Sequence, residues 1–237
     1  MLVVAAVLPH PPVLVPEVAS GAAGELEGLR AACHKAVDTV IASDVDRLVV
    51  VGGGPGRASF GPGARGGLAG FGVPVEVSVP GAPPSGELVL PLSATIGCWL
   101  LSHGHPSCPV AVDVVAGSTP PQDAAAVGVE LAASAVRVGL LVMGDGAATL
   151  TPRAPAYVVE GAGQWQREVD QMLGSAAVEA VAALSTDDAD RFAARGRAAW
   201  QVLAGAARGS AWRGTLLAAE APYGVGYTVA TWQRVTE

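Results

Sequence analysis

Short apolar runs alternate along the chain with segments whose apolar residues return at helical spacing. Leu2 to Leu8 is an unbroken apolar run rich in β-branched residues and stopped by proline, the pattern of a strand buried on both faces. Leu26, Leu29, Cys33, Val37 and Ile41 share one helical face, predicting a helix over 20–41 with Ser20 as its cap. Residues 47–51 form a second buried strand that enters Gly52-Gly53-Gly54-Pro55-Gly56. From there to Gly72 the glycine content predicts irregular chain, with 61–72 a candidate lid.

Further on, 73–79 reads as a strand, 91–102 as a helix and 110–115 as another strand. Thr119 stands where it would cap a helix that carries Pro120 and Pro121 in its first turn, the position proline tolerates best. The run 136–143 is a further strand, leading into Gly144-Asp145-Gly146. Helices are predicted over 164–184, 187–195 and 200–207, and two strands over 214–232, joined around Pro222-Tyr223-Gly224.

Strands alternating with helices predict an α/β protein: a mainly parallel central sheet with helices on both faces, in one domain spanning 1–237. Ligands gather beyond the carboxyl ends of such strands. Three strand tips therefore stand out: Pro9-His10, the 52–56 loop, and Gly144-Asp145-Gly146.

Composition narrows the function. Of 237 residues 51% are hydrophobic, many of them Ala and Val, and only 15% are charged, which favours close packing and argues against disorder. A formal charge of −7 offers no footprint for nucleic acid or for an acidic membrane surface. Three scattered cysteines read as reduced thiols. The apolar N-terminus lacks a basic leader region and meets Pro9 too soon for a signal peptide or a membrane span. The expectation is a cytoplasmic protein whose exposed Ala and Val faces permit a homodimer.

His10, clamped between prolines at a strand tip, either presents a metal-ready imidazole or completes a rigid turn. Asp145 either ligates a metal or acts as a base, or else closes an Asp-Gly turn. The amides of Gly53 and Gly54 could cradle an anion, but no Gly-Lys-Ser/Thr ending follows and Arg57 breaks the Gly-x-Gly-x-x-Gly pattern. His103 and His105 read as solvated loop residues and His34 as a surface residue. Glu220 and Tyr223, at the C-terminal turn, could reach a cleft. No Gly-x-Ser-x-Gly elbow is present to make a serine hydrolase.

Pro9-His10-Pro11, the 47–56 strand and loop, the run into Gly144-Asp145-Gly146, Trp200-Gln201-Val202-Leu203-Ala204-Gly205-Ala206 and Ala221-Pro222-Tyr223-Gly224-Val225-Gly226-Tyr227 together resemble the class III extradiol ring-cleavage dioxygenases, catalytic B-subunit superfamily. The resemblance implies an extradiol-dioxygenase-B-like fold and Fe(II) held by two histidines and a carboxylate, with a further acid/base histidine. His10 matches the first ligand. Gly53-Gly54-Pro55 stands where the second histidine is expected, and Gly196-Arg197-Ala198-Ala199 where the glutamate is expected. The 147–150 loop lacks the acid/base histidine.

The incomplete triad implies a diverged relative without ring cleavage that keeps a small-molecule cleft around His10. One alternative is a metal-dependent oxygenase or hydrolase on a rebuilt site. There His10, Asp145 and Glu220 (or His103 or His105) would be ligands, and Asp145 and Tyr223 the catalytic groups. The other is a phosphate or nucleotide binder using Gly53 and Gly54.

Overall fold

The computed structural model describes residues 1–235. Its elements are β1 (Leu2–Leu8), α1 (Pro16–Ala19), α2 (Glu27–Ile41), β2 (Arg47–Gly54), β3 (Ala58–Phe60), β4 (Arg65–Gly67), β5 (Glu76–Ser78), α3 (Leu92–Leu101), β6 (Val110–Ala116), α4 (Pro121–Ala132), β7 (Val138–Met143), α5 (Ala162–Gly174), α6 (Val178–Ala182), α7 (Thr186–Arg191), α8 (Arg197–Ala207), β8 (Trp212–Glu220) and β9 (Tyr227–Arg234). Seven strands form one sheet in the order β3-β6-β2-β7-β1-β9-β8, and β4 and β5 form a separate antiparallel pair. The four central strands β6, β2, β7 and β1 are parallel; β3 at one edge and β9 at the other side run antiparallel to them, and the edge strand β8, antiparallel to β9, runs in their direction. The fold is thus α/β with a mixed, mostly parallel sheet.

Alternation along each central strand explains its unbroken apolar sequence. In β1, Leu2, Ala5 and Val7 face one hydrophobic cluster and Val4, Ala6 and Leu8 the other. The first cluster is closed by α4, α5, α6 and α8, the second by α2 and α3. A strand with helices on both faces has no polar face to present, so its run of apolar residues cannot alternate with charges.

Helix α8 is buried along all 11 of its residues. Small residues make this possible. A Cβ added at Gly128 of α4 would overlap the Val202 carbonyl, and one at Gly205 of α8 would overlap Ala125, so the two backbones are in contact. Arg197, 2% exposed, enters this dry environment by donating to the Gln201 side chain at 2.6 Å and to the carbonyls of Thr119, at 2.9 Å, and Gly117. Burial lowers its pKa from the ordinary arginine value. Gln201 in turn donates to the carbonyls of Leu184 and Ala182, at 2.9 and 3.1 Å. These bonds fasten α8 to the α6–α7 and β6–α4 connections.

Several sequence expectations are corrected. Ser20 does not cap a helix; it sits at φ +50° and opens a 3-10 segment, Ser20–Leu26, before α2 begins. Thr119 makes no cap either, because the helix starts two residues later behind Pro120. The helix expected over 164–184 breaks at Ala176, whose φ of +55° separates α5 from α6. The glycine-rich stretch is not irregular: Arg65–Gly67 pairs with Glu76–Ser78, and Gly66 lies so close to Thr95 of α3 that a side chain would not fit. With Leu68 wholly buried, this segment is packed down rather than free as a lid. Among the described residues no helix is long and apolar enough to cross a membrane.

The contact between α4 and α8 should tolerate no added methyl. Gly128→Ala and Gly205→Ala are each expected to destabilise the protein by about 1–3 kcal/mol through overpacking. Gly70→Ala, where nothing lies within 4 Å, should stay within about 0.5 kcal/mol of the parent. Urea denaturation of the three variants checks this.

Candidate functional site

Because β1, β2, β6 and β7 are parallel, Pro9-His10, Gly54, Ala116 and Gly144 all emerge from one end of the sheet. Trp200 and Gly196 arrive there from α8. Gly144 and Gly196 lack side chains because the Trp200 indole fills the space between them. Trp200 is fully buried, and its Nε1–H has no partner.

His10 and Asp145 meet at the centre of this end. The His10 backbone N–H donates to Asp145 Oδ1 at 2.8 Å, while His10 Nδ1 lies 3.7 Å from the same oxygen, beyond hydrogen-bond length. His10 is 8% exposed, and its buried Nδ1 has no partner. Asp145 is therefore not closing an Asp-Gly turn on itself; it ties the loop after β7 to the tip of β1. The Arg195 N–H donates to the Asp145 carbonyl at 3.0 Å, bringing the approach to α8 against the same loop. A cavity of about 330 Å³ opens here, lined by Asp145, Gly146, Pro155, Ala156, Arg195 and Val225. Its lining residues are glycine or apolar apart from Asp145 and Arg195. A larger groove, about 800 Å³, lies among Met1, Arg137, Gln233 and Arg234 at the opposite end of the sheet. Arg137 there is already bonded to the carbonyls of Ser43 and Asp44. The smaller cavity is the better candidate because it lies at the strand-tip end and is lined by Asp145, the residue bonded to the His10 N–H.

A residue without any sequence signal holds the Asp145 loop in place. Gln166 of α5 accepts the Ala147 N–H through Oε1 at 2.8 Å and donates through Nε2 to Asp170 at 2.8 Å. Gly146 and Gly226 flank it so closely that a Cβ on either would collide with the amide. The hydroxyl of Thr228 on β9 also donates to Asp170. Burial raises the Asp170 pKa, against the lowering effect of the bonds from Thr228 and Gln166.

The remaining predicted site residues are engaged in other contacts. Gly53 and Gly54 are not a loop but the end of β2, paired with Val115 and Ala116 of β6. Their smallness serves packing: Ser93 of α3 occupies the place of a Gly52 side chain and donates to the Gly53 carbonyl at 2.6 Å, and Val114 crowds Gly54. No helix N-terminus follows, since β3 comes next. The chain thus lacks the glycine-loop-to-helix geometry of a phosphate cradle. Glu220 ends the edge strand β8 and is exposed, with its carboxylate over Gly28 of α2. Among the described residues no three His, Cys, Asp or Glu side chains converge, so Glu220 does not complete a metal site with His10 and Asp145. The Tyr223 hydroxyl is committed to Glu25 at 3.1 Å, and partial desolvation and that carboxylate raise its pKa. His103 is exposed as expected, but His34 is half-buried and stacked near Trp99 and His103. Burial, reinforced by the Asp145 and Glu220 carboxylates, pushes the Cys33 thiol up, and burial pushes Cys98 up to about 12. Both remain protonated thiols and poor nucleophiles.

No family model matches the sequence, and no curated protein does. Among solved structures, the chain is similar to the crystal structure of an uncharacterized protein, JW3007, from Escherichia coli K12. The TM-score is 0.57 at 13% identity, over 98% of this chain and 99% of that one. The likeness concerns the fold.

Removing the Gln166 amide leaves the buried Ala147 N–H without an acceptor, so Gln166→Ala should cost about 1–3 kcal/mol in chemical denaturation. Asp170 has a second, pH-dependent signature. Its raised folded pKa means that its contribution is fully present below the ordinary carboxylate value of 3.8 and is lost as pH rises through the raised value. Asp170→Asn should remove that decline, flattening stability against pH above the ordinary value.

Proposed function

We propose that the chain binds a small organic molecule in the cleft around His10, as a diverged relative of the class III extradiol dioxygenases that has lost iron-dependent ring cleavage. The observation that carries this reading is the buried, unpartnered Nδ1 of His10 beside Asp145. An orphaned buried polar atom costs about 1–3 kcal/mol, a cost that a ligand's donor or acceptor would remove. Asp145 and Arg195 supply two charged contacts in an otherwise apolar wall, the composition of a small-molecule site.

The resemblance adds direction. The segments it singles out, around His10, Gly53, Asp145 and Trp200, meet at one end of the sheet. The donor set does not fit Fe(II), however. Gly53-Gly54-Pro55 offers no side-chain ligand, and Arg197, the one charged residue in the other expected ligand segment, is bonded to the carbonyls of Gly117 and Thr119. His10 and Asp145 alone cannot make the two-histidine, one-carboxylate triad that holds such iron. No chemical step is therefore assigned to a metal.

The test uses catechol and benzoate as probes, with thermal shift and ligand-observed NMR on the untagged protein. Saturable binding of one of them is expected, weakened about tenfold or more (at least about 1.4 kcal/mol) in His10→Ala and in Arg195→Ala. With Fe(II) added, no oxygen uptake is expected. Ring-opened product from catechol would overturn the loss of activity, and binding unaffected by His10→Ala would overturn the site. Stoichiometric Fe(II) binding abolished by His10→Ala would instead support the metal-dependent alternative.

A further inference from the structure

We infer that His34 and His103 form a second, separate site, on the α2–α3 face, that binds a divalent transition-metal ion of the zinc, nickel or copper class. His34 lies within α2, and His103 lies just beyond the end of α3. The two ring centroids are 4.7 Å apart with planes inclined at 58°, and Trp99 forms a wall, 4.7 Å from His103 and 6.0 Å from His34. Aromatic packing alone could bring these rings together. One further feature favours an ion.

That feature is the tautomer. His103 Nδ1 lies 3.0 Å from the Trp99 carbonyl oxygen, which can only accept, so Nδ1 carries the proton and Nε2 keeps a free lone pair. A backbone carbonyl on the other ring nitrogen is the usual way a ligating histidine is oriented.

The spacing also fits. With metal–nitrogen bonds of about 2.1 Å each ring centre would lie about 3.2 Å from the ion, and the observed separation then corresponds to a ligand angle of about 90°. Asp38, one helical turn beyond His34, adds negative charge on the same face of α2. Arg30, which would repel a cation, is drawn away onto the carbonyls of Leu14 and Ala23. Imidazole nitrogen selects zinc, nickel or copper over magnesium or calcium. With two protein ligands and water in the other positions, this is a moderate-affinity surface site and is independent of the cleft around His10.

Calorimetric titration of the untagged full chain with Zn²⁺ and with Ni²⁺ tests it, alongside the shift in Tm that native-state binding must produce. One equivalent should bind, and Mg²⁺ should not. His34→Ala, His34→Gln and His103→Ala should each weaken binding about tenfold or more, while His10→Ala and His105→Ala leave it intact. Circular dichroism of each variant establishes that it is folded, and His34→Gln keeps the packing volume should His34→Ala unfold. Absence of binding in the parent would overturn the proposal, as would binding that survives in His34→Gln. Loss in His105→Ala would place the ion in the 103–105 loop instead, and loss in His10→Ala would place it in the cleft; either overturns it.

Discussion

Helix α8 has no solvent-facing side, and the rest of the architecture is arranged around that constraint. An eleven-residue helix can be buried throughout only if its neighbours approach closely and its polar groups find partners. The glycines at 128 and 205 allow the approach to α4, and the hydrogen bonds of Arg197 and Gln201 satisfy the polar groups. Once α8 is seated, Trp200 is pressed against Gly144 and Gly196, which sets where the loop after β7 leaves the sheet.

That loop carries the site. It is gripped from three directions: by Gln166 of α5 on Ala147, by the Arg195 amide on the Asp145 carbonyl, and by Asp145 itself reaching the His10 amide. The grip on the backbone leaves the chemistry-bearing atoms free. His10 Nδ1 and Trp200 Nε1 are buried without partners, and the Asp145 carboxylate and Arg195 line a small apolar cavity. Held backbone with unspent side-chain capacity is what a binding site requires, because the ordering cost is met before a ligand arrives.

At the same end of the sheet, other residues are committed to packing and to backbone groups. Gly52 to Gly54 make room for Ser93 and Val114, and Arg197 caps carbonyl groups. A side chain added at Gly54 would meet Val114, so that position has no room for a larger residue. The likeness to the Escherichia coli protein, at 13% identity, concerns the fold and carries no function with it.

Local sequence alone determined the central strands, the helix of Leu92–Leu101 and the 200–207 part of the helix Arg197–Ala207, and it put His10 and Asp145 just beyond the ends of β1 and β7. Unbroken apolar runs and helical spacing are local signals, and burial on both faces leaves no other pattern. His10 and Asp145 were legible for the same reason, as polar residues placed directly after such runs. Tertiary structure decided the rest. Whether a glycine run is a loop or a strand depends on a neighbouring strand: β6 pairs with 52–54 and turns an expected anion cradle into sheet. The clamp on the Asp145 loop depends on a glutamine that no spacing distinguishes from other polar helix residues. Glu220 and Tyr223 were placed near the cleft by sequence order, but the antiparallel turn between β8 and β9 sends the phenol to Glu25 and leaves the carboxylate over α2. Periodicity reveals which residues are buried, whereas contacts between residues far apart in sequence decide which of them meet.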